Sequence, residues 1–146
     1  MMNAEESPDI LFVEDNPFDV ELTLRTLRRS GFHGNVVVAG DGAEALDFIT
    51  ASGRFAHRKD APLPKLILLD LRLPTISGLY VLQWIRADQR AREIPVVVLT
   101  SSESDRDVIE VHKLGVTNYV VKPLECEDFL KLAKDLGLIG GAKESA

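Results

Sequence analysis

The chain is short of most features that would set it apart from an ordinary globular protein. One cysteine, Cys126, leaves no partner for an internal disulfide, which fits a reducing, cytoplasmic compartment. No apolar stretch approaches the roughly 20 residues of a membrane span, so no membrane association is predicted. Met1 to Pro8 is acidic and polar, unlike a secretory leader. No basic run or aromatic platform relieves a net charge of −6, which argues against nucleic acid as a partner. The three histidines, His33, His57 and His112, lack metal-ligand spacing. No repeat or linker divides the 146 residues, which suffice for one domain with a real core.

What the chain does have is a set of short apolar runs that end in reactive residues. Ile10-Leu11-Phe12-Val13 leads into Glu14-Asp15, and Leu66-Ile67-Leu68-Leu69 into Asp70. Val96-Val97-Val98-Leu99 leads into Thr100, and Tyr119-Val120-Val121 into Lys122-Pro123. Val36-Val37-Val38 makes a fifth run. Such runs, bounded by turn residues, read as strands buried on both faces and hence parallel.

Amphipathic helical patterns lie between the runs. Asn16-Pro17-Phe18-Asp19 is a helix start, with Val20, Leu24 and Leu27 on one face and Gly31 as the stop. Asp41-Gly42-Ala43-Glu44 resembles a capping box ahead of Ala45, Leu46 and Ile49. Ser77-Gly78 opens a third helix with Val81, Trp84 and Ile85; Ser104 or Asp105 opens a fourth with Val108, Val111 and Leu114. A fifth runs from about Glu125 to Leu136, with Phe129, Leu132, Ala133 and Leu136 in a stripe. Five β-α units with right-handed crossovers predict an α/β, flavodoxin-like (βα)5 doubly wound parallel sheet in the order 2-1-3-4-5. Its switch point lies between the first and third strands, which deliver Glu14-Asp15 and Asp70, and ligands bind at that edge. One long loop, Ser52 to Pro64, holds two prolines and a basic patch (Arg54, His57, Arg58, Lys59), a length associated with function or disorder. The tail from Gly140 to Ala146 is predicted to be mobile.

Three carboxylates at one sheet edge have a cost. Two unit charges about 4 Å apart repel by about 4 kcal/mol at an effective dielectric of 20. Such a cluster takes up protons or a cation, and all-oxygen ligands with water suit Mg²⁺. A carboxylate beside Mg²⁺ can attack phosphorus and become an acyl phosphate. The transition state spreads charge over phosphoryl oxygens that a metal, a lysine and a hydroxyl can hold. Lys122 and Thr100 supply the last two. Asp70, on the central strand, is the predicted nucleophile, with Glu14 and Asp15 as metal holders.

These residues resemble the response-regulator receiver domain of two-component signalling, over about Asp9 to Leu136. The resemblance implies a single receiver domain across 1–146, with a core at about 9–136 and tails at 1–8 and 137–146. It implies Asp70 as phosphoacceptor, within Leu68-Leu69-Asp70-Leu71-Arg72-Leu73-Pro74 and ahead of Ser77-Gly78. Glu14, Asp15 and Asp70 would hold Mg²⁺ together with the backbone carbonyl of Arg72. Thr100 would be the switch hydroxyl, Lys122 the phosphate-binding lysine before a cis proline, and Tyr119 the aromatic that changes rotamer. Arg72 and Ser102, two residues after Asp70 and Thr100, would border the attacking water; Arg72 either screens Asp70 or points to solvent.

The resemblance is closer to the stand-alone regulators paired with bacterial and cyanobacterial phytochromes. It rests on Val13-Glu14-Asp15-Asn16-Pro17, the long loop before the third strand, Leu68-Leu69-Asp70-Leu71, and Val98-Leu99-Thr100-Ser101-Ser102. The implied protein is not an enzyme. It takes a phosphoryl group from a sensor histidine kinase, a bacteriophytochrome in the closer resemblance. Its output is a protein contact or transfer to a histidine phosphotransfer protein. The first helix would dock the kinase, and the fourth helix, last strand and fifth helix would form a homodimer, with Leu130 exposed there. An aspartyl-nucleophile phosphatase would want a second acid where Arg72 stands. A flavodoxin-type binder would want Gly, Ser and Thr amides where Glu14-Asp15-Asn16-Pro17 stands.

Overall fold

A computed structural model describes residues 8–101, 110–116 and 118–138. Five strands, β1 (Ile10–Val13), β2 (Val36–Ala39), β3 (Leu66–Asp70), β4 (Val96–Thr100) and β5 (Asn118–Val121), form one parallel sheet in the order β2-β1-β3-β4-β5. This is the predicted flavodoxin-like order. Helices α1 (Pro17–Arg29), α2 (Gly42–Thr50), α3 (Gly78–Ala87) and α4 (Cys126–Leu136) flank it. The α4 of the structure is the fifth helix of the sequence pattern. The start of the predicted fourth helix, with Ser102, Ser104, Asp105 and Val108, lies outside the described residues, as does the Gly140–Ala146 tail. Residues 110–113 are helical.

Side-chain alternation divides the core into two layers. Leu11, Val13, Ile67, Leu69, Val96 and Val98 pack toward α2 and α3, with Phe48, Val81, Leu82 and Val111. Ile10, Phe12, Leu66, Leu68, Val97 and Leu99 pack toward α1 and α4, with Leu27, Phe129, Leu132 and Ala133. The three inner strands are buried throughout, as expected for a parallel sheet covered on both faces. Asn16 caps α1 by accepting from the Phe18 and Asp19 amides, and Pro17 holds the first helical position. The capping box at α2 is half formed. Asp41 accepts from the Glu44 amide, but Glu44 reaches back to the amide of Gly40 rather than that of Asp41.

The Ser52–Pro64 segment is largely exposed but is anchored to the core through Phe55, Arg58 and Pro64. It forms a 3-10 helix over Gly53–Arg58, and Phe55 meets Phe48 edge-on at 5.1 Å. Of the predicted basic patch, Arg54, His57 and Lys59 are exposed, but Arg58 leaves it: it is only 3% exposed, its guanidinium 3.9 Å above the Phe48 ring, and it donates to the carbonyl of Pro62 at 2.9 Å. Arg54 pairs with Glu44 and lies over Phe55. Arg58→Met is therefore expected to lose about 2 kcal/mol of stability in urea unfolding, the scale of a desolvated cation–π contact with its hydrogen bonds. A change under about 0.5 kcal/mol would mean the contact is incidental.

The loop from β3 to α3 is tightly wound. The Ile76 amide donates to the Pro74 carbonyl at 2.6 Å across Thr75, whose φ is +65°; an i to i+2 bond of this kind makes a γ-turn. Gly78 then brings the start of α3 against the end of β3. A Cβ there would lie 2.2 Å from the Asp70 carbonyl oxygen and 2.6 Å from Leu71 Cα, both backbone atoms. Gly78→Ala is expected to cost about 3 kcal/mol, the upper end of overpacking penalties. Unfolding within about 1 kcal/mol of wild type would contradict the close approach.

Candidate functional site

Strand register sets the site. Val13 pairs with Leu69, so Glu14 emerges level with Asp70. Asp70 pairs with Leu99 and Thr100 with Val121, so Thr100 stands one step beyond Asp70 along the edge and Lys122 two. Alternation then sorts the side chains. Glu14, Asp70 and Lys122 fall in phase with the layer that faces α1 and α4. Thr100 falls in phase with Val96 and Val98, on the α3 side, where Tyr119 also packs.

The acids do meet. One carboxylate oxygen from each of Glu14, Asp15 and Asp70 lies within 4.8 Å of the others. Two ligands across one octahedral Mg²⁺ stand about 4.2 Å apart, from Mg–O distances near 2.1 Å, so the trio is close to that span. Glu14 is 2% and Asp70 3% exposed, whereas Asp15 is exposed, which opens one side to water. Asp70 Oδ1 accepts from the Arg72 amide at 3.0 Å. Arg72 thus enters the site through its backbone, and the residue itself is exposed. Glu14 Oε2 accepts from the Asn16 amide at 3.3 Å.

Lys122 closes the cluster. Its Nζ lies 2.8 Å from Glu14 Oε1, 2.9 Å from Asp19 Oδ2 and 3.2 Å from Asp70 Oδ2. The Lys122–Pro123 peptide is cis. Burial alone would lower the Lys122 pKa, but Glu14, Asp19 and Asp70 together push it well above its ordinary value. Glu14 moves the other way for an acid. Burial, reinforced by Asp70 and opposed by Lys122, raises it to about 7. Its Oε1 touches the ammonium without hydrogen-bond alignment and is the one buried side-chain oxygen among the described residues left without a hydrogen bond. Three carboxylates thus contact one ammonium, and a fourth, Asp15, lies beside Glu14 and Asp70. The most buried of them keeps an oxygen that is paired with the ammonium but makes no aligned hydrogen bond. A hard divalent cation fits that donor set.

Glu14, Asp15, Asp70, Thr100 and Lys122 lie at this edge, with Thr100 buried; Tyr119, paired with Val98 further back along the sheet, is half-buried on the face that Thr100 shares. Asp19 was not singled out by sequence reasoning. As a first-turn acid of α1 it satisfied the capping pattern, which hid its approach to Lys122, 103 residues away.

Residues 10–134 match the response regulator receiver domain family. The bacteriophytochrome response regulator AtBRR superposes with a TM-score of 0.80 at 46% identity, covering 92% of this chain and 95% of that one. Response regulator Rcp1 of Synechocystis sp. is 35% identical over 137 residues, 92% of this chain and 91% of Rcp1. The Mn²⁺-bound form of Rcp1 superposes with a TM-score of 0.74 at 32% identity, covering 95% and 97% of the two chains. A probable methanogenesis regulatory protein, FilR2 of Methanothrix harundinacea, is 39% identical over 136 residues, 93% of this chain and 85% of FilR2. The fold, the acidic edge and these matches agree, and the chain belongs to the response-regulator receiver family, with bacteriophytochrome response regulators of the stand-alone type among its homologues.

Proposed function

We propose that this receiver accepts a phosphoryl group on Asp70 from a sensor histidine kinase, in a Mg²⁺-dependent reaction. The observation that carries the proposal is the Lys122 ammonium held between Glu14 Oε1 and Asp70 Oδ2, at 2.8 and 3.2 Å, with Asp15 alongside. A carboxylate oxygen of Asp70 forms a bond to phosphorus as the phosphorus–nitrogen bond of a phosphohistidine breaks. The imidazole leaves with the electron pair and takes a proton from solvent. The Arg72 amide orients the Asp70 carboxylate. Lys122 moves its charge onto the developing phosphoryl oxygens. Mg²⁺, held by Glu14, Asp15, Asp70 and the Arg72 carbonyl, would neutralise the charge of the attacking and transferred oxygens.

Thr100 is the proposed switch hydroxyl. It lies on the α3 side of the sheet, so engaging a phosphoryl oxygen requires it to turn toward Asp70. Tyr119, on the same face, is the aromatic placed to fill the space it leaves. The protein acts as a single receiver domain in the cytoplasm, and its output is a changed contact with a partner or onward transfer to a histidine phosphotransfer protein. Leu130, 43% exposed on α4, supports a homodimer through the face formed by the fourth helix of the sequence pattern, the last strand and the last helix. Sizing with and without beryllofluoride checks that part, and an unchanged elution volume would remove phosphorylation-linked dimerisation.

The main test is intact mass after incubation with acetyl phosphate. One phosphoryl group is expected with Mg²⁺ and none with EDTA. Equal uptake under both conditions would overturn the metal dependence, and no uptake under either would overturn the phosphoacceptor. Likeness to phytochrome regulators supports a bacteriophytochrome as the kinase. No transfer from such a kinase, with acetyl phosphate uptake intact, would remove that pairing alone.

A further inference from the structure

Lys122 has one more carboxylate than the phosphoacceptor chemistry needs. Its Nζ stands 2.9 Å from Asp19 Oδ2, nearer than the 3.2 Å to Asp70 Oδ2. Asp19 belongs to α1, and it lines a groove of about 340 Å³ with Leu22, Thr23, Ser101, Lys122 and Pro123. Glu14 and Asp70 draw the ammonium into the acid cluster, while Asp19 draws it toward the groove. The Asp19 side chain is 35% exposed, so its charge also faces any donor that approaches.

We propose that Asp19 is a positioning residue that shares the Lys122 ammonium with Asp70 and so sets how readily the site accepts an anionic phosphodonor. Two effects act in the same direction. An ammonium held by Asp19 must be drawn off it before it can neutralise an incoming phosphoryl group. The Asp19 carboxylate also repels that group at the mouth of the site. Removing the charge while keeping the shape is therefore expected to speed phosphoryl uptake. Because Asp19 is partly exposed, the gain belongs to the range of surface ion pairs, roughly two- to five-fold. Salt screens such interactions, so the gain shrinks as ionic strength rises.

The inference rests on Asp70 as the phosphoacceptor, and the experiment separates the two. Initial rates of uptake from acetyl phosphate with Mg²⁺ are measured by intact mass for the full chain, Asp19→Asn and Asp19→Glu, at low and high salt. Asp19→Asn is expected to react faster than wild type at low salt and to converge on it at high salt, with Asp19→Glu close to wild type throughout. No uptake by wild type would overturn the phosphoacceptor and this inference with it. Uptake by wild type with an equal or slower Asp19→Asn rate, or a gain that persists unchanged at high salt, would overturn the role of Asp19 alone. Urea unfolding of each variant shows whether it is folded, and the charge-preserving Asp19→Glu keeps the comparison decisive if Asp19→Asn is destabilised.

Discussion

Asp70→Asn is expected to take up no phosphoryl group and, at the same time, to lower the pKa of Glu14. The first effect follows from chemistry, since a carboxamide offers no anionic oxygen to phosphorus. It is the largest effect expected of any single substitution here, a fall from one phosphoryl group per chain to none. The second follows from the geometry. Burial is the main reason that Glu14 stands at about 7, and Asp70 adds to it both as a hydrogen-bond neighbour and as a like charge. Neutralising Asp70 removes that share while the Lys122 ammonium stays 2.8 Å from Glu14 Oε1. The Arg72 amide that now donates to Asp70 Oδ1 can donate to the Asn oxygen, so the loop keeps an anchor. Intact mass reads the first effect, and carboxyl carbon shifts of labelled glutamate against pH read the second. Wild-type uptake, or a Glu14 titration that does not move, would contradict the cluster as described.

The second large effect couples pH to metal. Glu14 titrates near 4.5 when unfolded and at about 7 in the folded chain. Between those values the folded state binds more protons, so stability falls as pH rises. The contribution is fully present below about 4.5 and lost above about 7. Its size is of order 3 kcal/mol, from roughly 1.4 kcal/mol per pH unit. A divalent cation takes the place of the proton, because ligands must be deprotonated to bind metal. The metal-free protein is therefore expected to unfold more easily at pH 8 than at pH 5. Mg²⁺ is expected to restore stability at pH 8 while doing little at pH 5. Urea titrations with EDTA or with Mg²⁺ at the two pH values decide it. A metal effect equal at both would mean that Glu14 does not exchange a proton for the cation.

Much of this arrangement is legible in the sequence, for a definable reason. A buried parallel strand must be apolar throughout, so Leu66–Leu69 and Val96–Leu99 announce themselves, and the residue that breaks each run marks the sheet edge. Register then places Glu14 level with Asp70, as the strand order implied. Apolar periodicity did not show that Thr23 and Thr26 are buried on α1, because threonine carries no apolar signal. It also left out Phe48 and Leu82, since helices packed on a sheet bury a wider face than a narrow stripe suggests. Arg58 reads as a surface cation in any local pattern, and only the Phe48 ring and the Pro62 carbonyl make its burial tolerable. Asp19 shows the same limit at the site itself. Its local role as a first-turn acid was sufficient, and its ion pair with Lys122 is purely tertiary.

The most direct measurement fixes the position of the phosphoryl group. An acyl phosphate is reduced by borohydride to an alcohol, whereas phosphoserine and phosphothreonine are not. Wild-type chain treated with acetyl phosphate and Mg²⁺, then with borohydride, is digested and sequenced by mass spectrometry. Conversion of the aspartate at position 70 to homoserine, with Glu14, Asp15 and Asp19 unchanged, is the expected result. Reduction at any of those three acids, or a labelled chain with residue 70 untouched, would contradict Asp70 as the phosphoacceptor.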